Sequence, residues 1–153
     1  EEFQERIDNH NMRELEVIFH PEEVRLIDQD TFTTEVDKQK LIDTVRLESD
    51  DLWERARVIL DDETREPYIA LKNVWHSFRF LIFAEQILKD GEITNYSAAN
   101  YLYQDIINSQ RTDFQYFVDT FGEMRNQMKT DLDNYLDDDP GFTLIDTIVG
   151  LPR

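Results

Sequence analysis

At 153 residues, with no cysteine and only four glycines, the chain is long enough for one domain with a proper core. Its composition excludes disulfides, thiolate metal sites, a cysteine nucleophile and a glycine-rich phosphate cradle. Sixteen Lys plus Arg against thirty-four Asp plus Glu leave a net charge of -18, which argues against direct nucleic-acid binding or general attraction to anionic lipid. No apolar run approaches the roughly 20 residues needed to span a membrane and no signal-peptide pattern opens the chain, so a cytoplasmic or otherwise intracellular protein is expected.

Taken in order, Glu2 to Asp8 reads as a short helix with Phe3 and Ile7 on one side, followed by a polar break at Asn9, His10 and Asn11. Arg13 to Phe19 alternates at Leu15, Val17 and Phe19 before Pro21, which predicts a strand. The run from Pro21 to Thr34 is short and polar enough to be largely irregular. Thr34 and Asp37 offer a capping start. From Lys38, Leu41, Ile42, Val45, Leu52, Trp53, Ala56, Ile59 and Leu60 mark a long amphipathic helix ending in the polar run Asp61 to Glu66.

Pro67 suits the first turn of the next helix and Gly91, after Lys89, its stop. This helix is apolar over most of its circumference and is expected to sit centrally. Ser97 can cap a shorter helix carrying Tyr101, Leu102, Ile106 and Ile107. Thr112 and Asp113 can open another, extending to Asp138. Pro140 and Gly141 break the chain, and the apolar tail over 141–153 docks on the body or adds to a partner. The expected fold is mainly α: a single helical domain over 1–153 with five or six helices and a short N-terminal strand. That strand would belong to a sheet completed elsewhere. Because the chain starts at Glu1 rather than Met, it reads equally as the C-terminal part of a longer protein.

Within the central helix, Lys72, His76 and Arg79 stand at i, i+4 and i+7, within about 60 degrees of one another on one face. In so acidic a chain such a row has two readings. Lys72 and Arg79 can snorkel over apolar neighbours around a satisfied core histidine, or the row can meet an anion such as a phosphate.

Other motifs fail on spacing or context. Six residues separate Arg13 from His20, as in the loose Arg-x-His pattern of HEPN ribonucleases, but the segment alternates and ends at Pro21. Asp131, Asp133, Asp137, Asp138 and Asp139 lack the Gly and late Glu of a calcium loop and read as a solvated helix end. His10 and His20 have no third ligand at zinc spacing.

Two stretches resemble a known family. NHNMRELEVIFHPEE, from Asn9 to Glu23, resembles the segment that follows the catalytic strands in one branch of the polymerase-β-like nucleotidyltransferases, with Leu15, Glu16, Val17, Ile18, Phe19, His20 and Pro21 in the pattern Leu-Glu-x-hydrophobic-Phe-x-Pro. SDDLWERARVIL and KNVWHSFRFLIFAEQILKDGEITNYSAAN resemble the helical region of the same proteins. Lys72, His76, Arg79, Ala84, Glu85, Gly91, Glu92 and Ile93 match its pattern in order. The resemblance spans roughly residues 3 to 130 at low identity.

The resemblance implies a helical region packed against a nucleotidyltransferase core, with Lys72, His76 and Arg79 turned toward a nucleotide triphosphate and Arg55 and Arg57 as helpers from the preceding helix. The catalytic signature of that family, Gly-Ser followed by Asp-x-Asp and a third carboxylate that together hold two metal ions, is not in this chain. Asp131-Leu132-Asp133 has the letters without the Gly-Ser, and the third acid would fall just before Glu1 rather than at Glu14 or Glu16. No catalytic or metal-binding residue is therefore assigned. Mg2+ and a nucleoside triphosphate enter only with a catalytic half, supplied upstream or by a partner subunit. The competing expectations are an acidic interaction protein, such as a nucleic-acid mimic that inhibits a basic partner, and a helical scaffold subunit.

Overall fold

The computed structural model describes residues 2–19 and 35–136, together with the backbone of 141–143. The fold is mainly helical, as expected. It contains α1 (Glu2–Asp8), α2 (Met12–Phe19), β1 (Glu35–Asp37), α3 (Lys38–Leu60), α4 (Pro67–Asp90), α5 (Tyr103–Ile106), α6 (Phe114–Asp131) and β2 (Gly141–Thr143). Short 3-10 turns at Asn100–Leu102 and Leu132–Tyr135 precede α5 and follow α6.

Local chemistry sets the ends of the two long helices. Asp37 caps α3 by accepting from the Lys40 amide, which satisfies one of the orphan donors of the first turn. Pro67 opens α4, where its missing N–H costs nothing, and Gly91 closes it at φ 79 with its amide donating to the Ile87 carbonyl. Asp113 caps α6 through the Gln115 amide. Ser97 does not cap with its side chain; its carbonyl accepts from Asn100, and the segment beyond is a 3-10 turn running into a single helical turn. The last long helix stops at Asp131 rather than continuing, and Asp137 to Asp139 lie outside the described residues, as do Pro21 to Thr34 and His20.

The strand expected over Arg13 to Phe19 is a helix, α2. The alternation of Leu15, Val17 and Phe19 hides a second spacing: Met12, Leu15 and Glu16 share one helical face and are buried, whereas Arg13 is exposed. The Asn11 carbonyl accepts from the amides of Glu14 and Leu15, which nucleates the first turn. The strand that does form, β1, pairs antiparallel with β2, Glu35 opposite Thr143 and Asp37 opposite Gly141. The start of the C-terminal tail therefore docks on the body of this chain, and 144–153 lie outside the described residues.

α3 and α4 form an antiparallel pair around which the rest is laid. One apolar cluster joins α1, α2 and β1 to the N-terminal half of α3 and the C-terminal half of α4, through Ile7, Leu15, Val45, Leu81 and Phe83. A second joins the other ends of α3 and α4 to α5 and α6, through Ala56, Val74, Phe78, Ile106 and Phe117. Ile82 and Met128 pack against both. Between the clusters the seam is polar: Ser49 Oγ donates to the Ser77 carbonyl at 2.9 Å, and Arg125 donates to Ser49 Oγ at 3.1 Å.

Burial separates residues that hydropathy alone does not. Phe78 is fully buried, whereas Ile69 on the same helix is 53% exposed. Phe78→Ala is expected to cost about 3–5 kcal/mol in chemical denaturation, because it opens a cavity at the seam, while Ile69→Ala stays within about 0.5 kcal/mol.

Candidate anion-binding face

The row Lys72, His76 and Arg79 lies on one side of α4, but its three members are in different states. Lys72 is exposed, with its ammonium 5.6 Å from the Tyr68 ring centroid. Arg79 is half-buried over the Phe83 ring, 4.4 Å from its centroid, and its guanidinium donates to Glu16 Oε1 of α2 at 2.7 Å. Tyr96 Oη donates to the Glu16 backbone carbonyl at 2.5 Å, so the same residue is held twice. Burial pushes the Glu16 carboxyl above its ordinary range in spite of Arg79, as expected of an ion pair largely removed from water.

His76 sits between the Trp75 and Phe80 rings, and its Nδ1 is buried without a hydrogen-bond partner. Burial, followed by the charges of Arg79, Lys72 and Arg13, pushes it down to about 4, so it is neutral near pH 7. One of these charges belongs to a residue the sequence pattern missed. Arg13 of α2 stands near enough to His76 to act on it, and the helical reading of Arg13 to Phe19 is what brings it there.

The two helper arginines separate. Arg57 is taken up by Glu54 and by Asp61, the latter at 2.8 Å, near the end of α3. Arg55 pairs with Asp51 at 2.8 Å but also lines a cleft of about 240 Å³ between the α1–α2 pair and α3, and Phe80 forms part of its wall. Because the Phe80 and His76 ring centroids are 6.2 Å apart, that cleft adjoins the α4 row. Arg6 and Arg13 line it as well.

The remaining sites of interest are structural. His10 is buried at φ 63; its Nε2 accepts from the Asp37 amide at 3.1 Å and its Nδ1 lies 3.1 Å from the Ile7 carbonyl, which ties the α1–α2 turn to the start of α3. Asp131 ends α6, accepting from Gln127, and Asp133 pairs with Arg46. Among the described residues no three His, Asp or Glu side chains are grouped to hold a metal ion. Nor is any helix among them long and apolar enough to cross a membrane.

Comparison with known proteins gives no match: no family model, no curated protein and no solved structure is similar to this chain.

Two consequences can be measured. Arg79→Ala leaves the Glu16 carboxylate buried and unpaired and is expected to cost on the order of 3 kcal/mol; adding Glu16→Gln recovers much of that loss, as a double-mutant cycle on denaturation free energies would show. The second concerns pH. Glu48 of α3 accepts from the Met12 amide, and burial pushes it up to about 7, so its contribution to stability is complete below about pH 4.5 and lost as pH rises through 7. His76, pushed down, acts oppositely: its contribution is present above about pH 6.5 and lost as pH falls through 4. The two slopes oppose each other across their overlap. Glu48→Gln removes the first, so its melting temperature relative to wild type should climb between pH 5 and pH 8; a constant difference would show that Glu48 does not titrate there.

Proposed function

We propose that this chain is the helical portion of a nucleotidyltransferase-like protein, and that the face shared by α2 and α4 contacts the phosphates of a nucleotide. The observation that carries the reading is the convergence of Lys72, Arg79 and Arg13 around His76 in a chain of net charge -18. Cations are scarce in this protein, and three of them act on one neutral imidazole, with Glu16, held by Arg79, as the acid paired among them. The family resemblance of the α3–α4 region supports the same assignment.

Within this reading the residues divide the work. Lys72 and Arg13 are exposed and have no carboxylate hydrogen-bonded to them among the described residues, so they are the groups that meet phosphate. Arg79, held by Glu16, sets the position of α2 against α4 and supplies field rather than a direct contact. Arg55 reaches the phosphate from α3 through the adjoining cleft, and Arg57 takes no part. The chain alone does not transfer a nucleotidyl group, because its sequence holds no Gly-Ser and Asp-x-Asp signature. The described carboxylates do not fit a magnesium site either: Glu16 is taken by Arg79 and Glu48 is half-neutral near pH 7. Magnesium would be held by the catalytic half.

Isothermal titration of ATP into the full chain tests the reading. Binding is expected, weakened about tenfold by Lys72→Ala without loss of thermal stability. Absence of binding to any nucleoside triphosphate, or full affinity in Lys72→Ala, would overturn it.

A second reading, an acidic interaction protein, is favoured by one feature. Asp61, Asp62, Glu63 and Glu66 between α3 and α4 are all exposed, as are Asp119 and Glu123 on α6. If that surface is the functional one, the chain should capture a basic protein at low salt and release it near 0.5 M, where exposed charges are screened within about 4–5 Å.

A further inference from the structure

The cleft beside the α4 row has its own chemistry. It is lined by Arg6 of α1, Arg13 of α2 and Arg55 of α3, with Glu14, Glu48 and Asp51 among them and Phe80 as an apolar wall. Arg6 is paired with Glu14 at 3.0 Å and Arg55 with Asp51 at 2.8 Å, which leaves Arg13 as the guanidinium with no hydrogen-bond partner among the described residues. Glu48 is the remaining acid, and its Oε1 is already engaged by the Met12 amide.

We infer that this cleft is the seat of one compact tetrahedral oxyanion, a terminal phosphate group or sulfate, with Arg13 as its principal contact, Arg6 and Arg55 flanking, and Glu48 as a proton-controlled gate. This inference rests on the proposed phosphate-binding reading and moves its centre from α4 to the α1–α2 pair. About 240 Å³ holds a phosphate group with some water but not a whole nucleotide, so the remainder of such a ligand would extend along the Lys72 face.

Charge balance explains the gate. Among the lining side chains, with Glu48 protonated three guanidiniums face Glu14 and Asp51, one more cation than anion, and ionising Glu48 removes that difference; Glu2, outside the lining, also pairs with Arg6. The groups that act on Glu48 from α2 are the Met12 amide, Glu14, Arg13 and Glu16; burial, aided by Glu14 and Glu16, outweighs the Met12 amide and Arg13 in holding the proton near neutral pH. Arg6 faces the cleft from α1, Asp51 and Arg55 share α3 with Glu48, and α4 presents Phe80, which carries no charge. Oxyanion affinity should therefore fall as pH rises through 7.

The test follows amide shifts of the full chain during separate titrations with sulfate, whose charge is constant over this range, and with ATP. Sulfate should perturb α2 and α3, with affinity about tenfold lower in Arg13→Ala, partly restored in Arg13→Lys, and about fivefold lower at pH 8 than at pH 6 in wild type. Glu48→Gln keeps an acceptor for the Met12 amide and should abolish the pH dependence. Arg13 is exposed, so its variants fold. Sulfate binding that survives Arg13→Ala would overturn the cleft while leaving the Lys72 reading intact, provided ATP binding still responds to Lys72→Ala. A pH dependence that persists in Glu48→Gln would remove the gate. Failure of both anions to bind wild type would overturn the cleft and the phosphate reading together.

Discussion

The structure depends on how closely α3 and α4 approach at Ser49 and Ser77. Both serines are fully buried, and larger side chains at either position would hold the helices apart. Their hydroxyls do not go unsatisfied. Ser49 Oγ donates across the seam to the Ser77 carbonyl and accepts from Arg125, while Ser77 Oγ donates back to Val74. The polar waist divides the core into two apolar clusters, and each receives its own outer helices. α1 and α2 cover one end and α5 and α6 the other. Arg125 then carries the waist outward: it donates to Asp50, lies 4.7 Å from the Trp53 ring centroid, and is joined at Asp50 by Lys129, which fixes the rotation of α6 against α3.

A protein with a twofold excess of acids uses its few cations sparingly, and the pattern of use is informative. Arg125, Lys129 and Arg46 fasten α6 and the turn after it to α3. Arg79 fastens α2 to α4, and Arg6 fastens α1 to α2. Each of these guanidinium or ammonium groups is a polar bridge between elements that also meet in one of the apolar clusters. Arg13 and Lys72 are different, because each is exposed and neither is tied to a carboxylate by a hydrogen bond among the described residues. Arg13 acts on Glu16 and Glu48 only through its field, and the Lys72 ammonium lies over the Tyr68 ring, so both keep their hydrogen-bonding capacity toward solvent.

The two long helices were legible in the sequence because their signals are local. An Asp cap, a Pro at the first turn, a Gly at the stop and an apolar stripe are all contained within the segment itself. The segment from Arg13 to Phe19 defeated the same reading because a run of seven or eight residues can satisfy both a period of 2 and a period of 3.6. The choice was made by tertiary partners: Glu16 meets Arg79 and Met12 meets Glu48, neither of them near in sequence. The row on α4 was legible as a row, since its spacing is helical. Its electrostatic state was not, because Glu16 lies 63 positions from Arg79 and Arg13 lies a similar distance from His76. Ser49 escaped notice altogether. A serine within an amphipathic stripe has no signal that distinguishes a helix crossing from a solvated face.

What the structure adds to the row is a division between permanent and conditional charge. Burial, with the charges of Arg79, Lys72 and Arg13, keeps His76 neutral near pH 7. An anion bound among them, as proposed, would offset part of that positive field and so favour protonation of the imidazole. On the cleft side Glu48 responds in parallel, since a negative ligand raises the cost of its ionisation. On the proposed reading, ligand binding and proton uptake are coupled at two groups, His76 on α4 and Glu48 on α3. The α1–α2 pair is held to α4 by Arg79–Glu16 and to α3 by the Met12 amide on Glu48, and its Arg13 acts electrostatically on both titratable groups. If this face binds anions as proposed, its affinity depends on the protons that its titratable groups take up as well as on the cations around them.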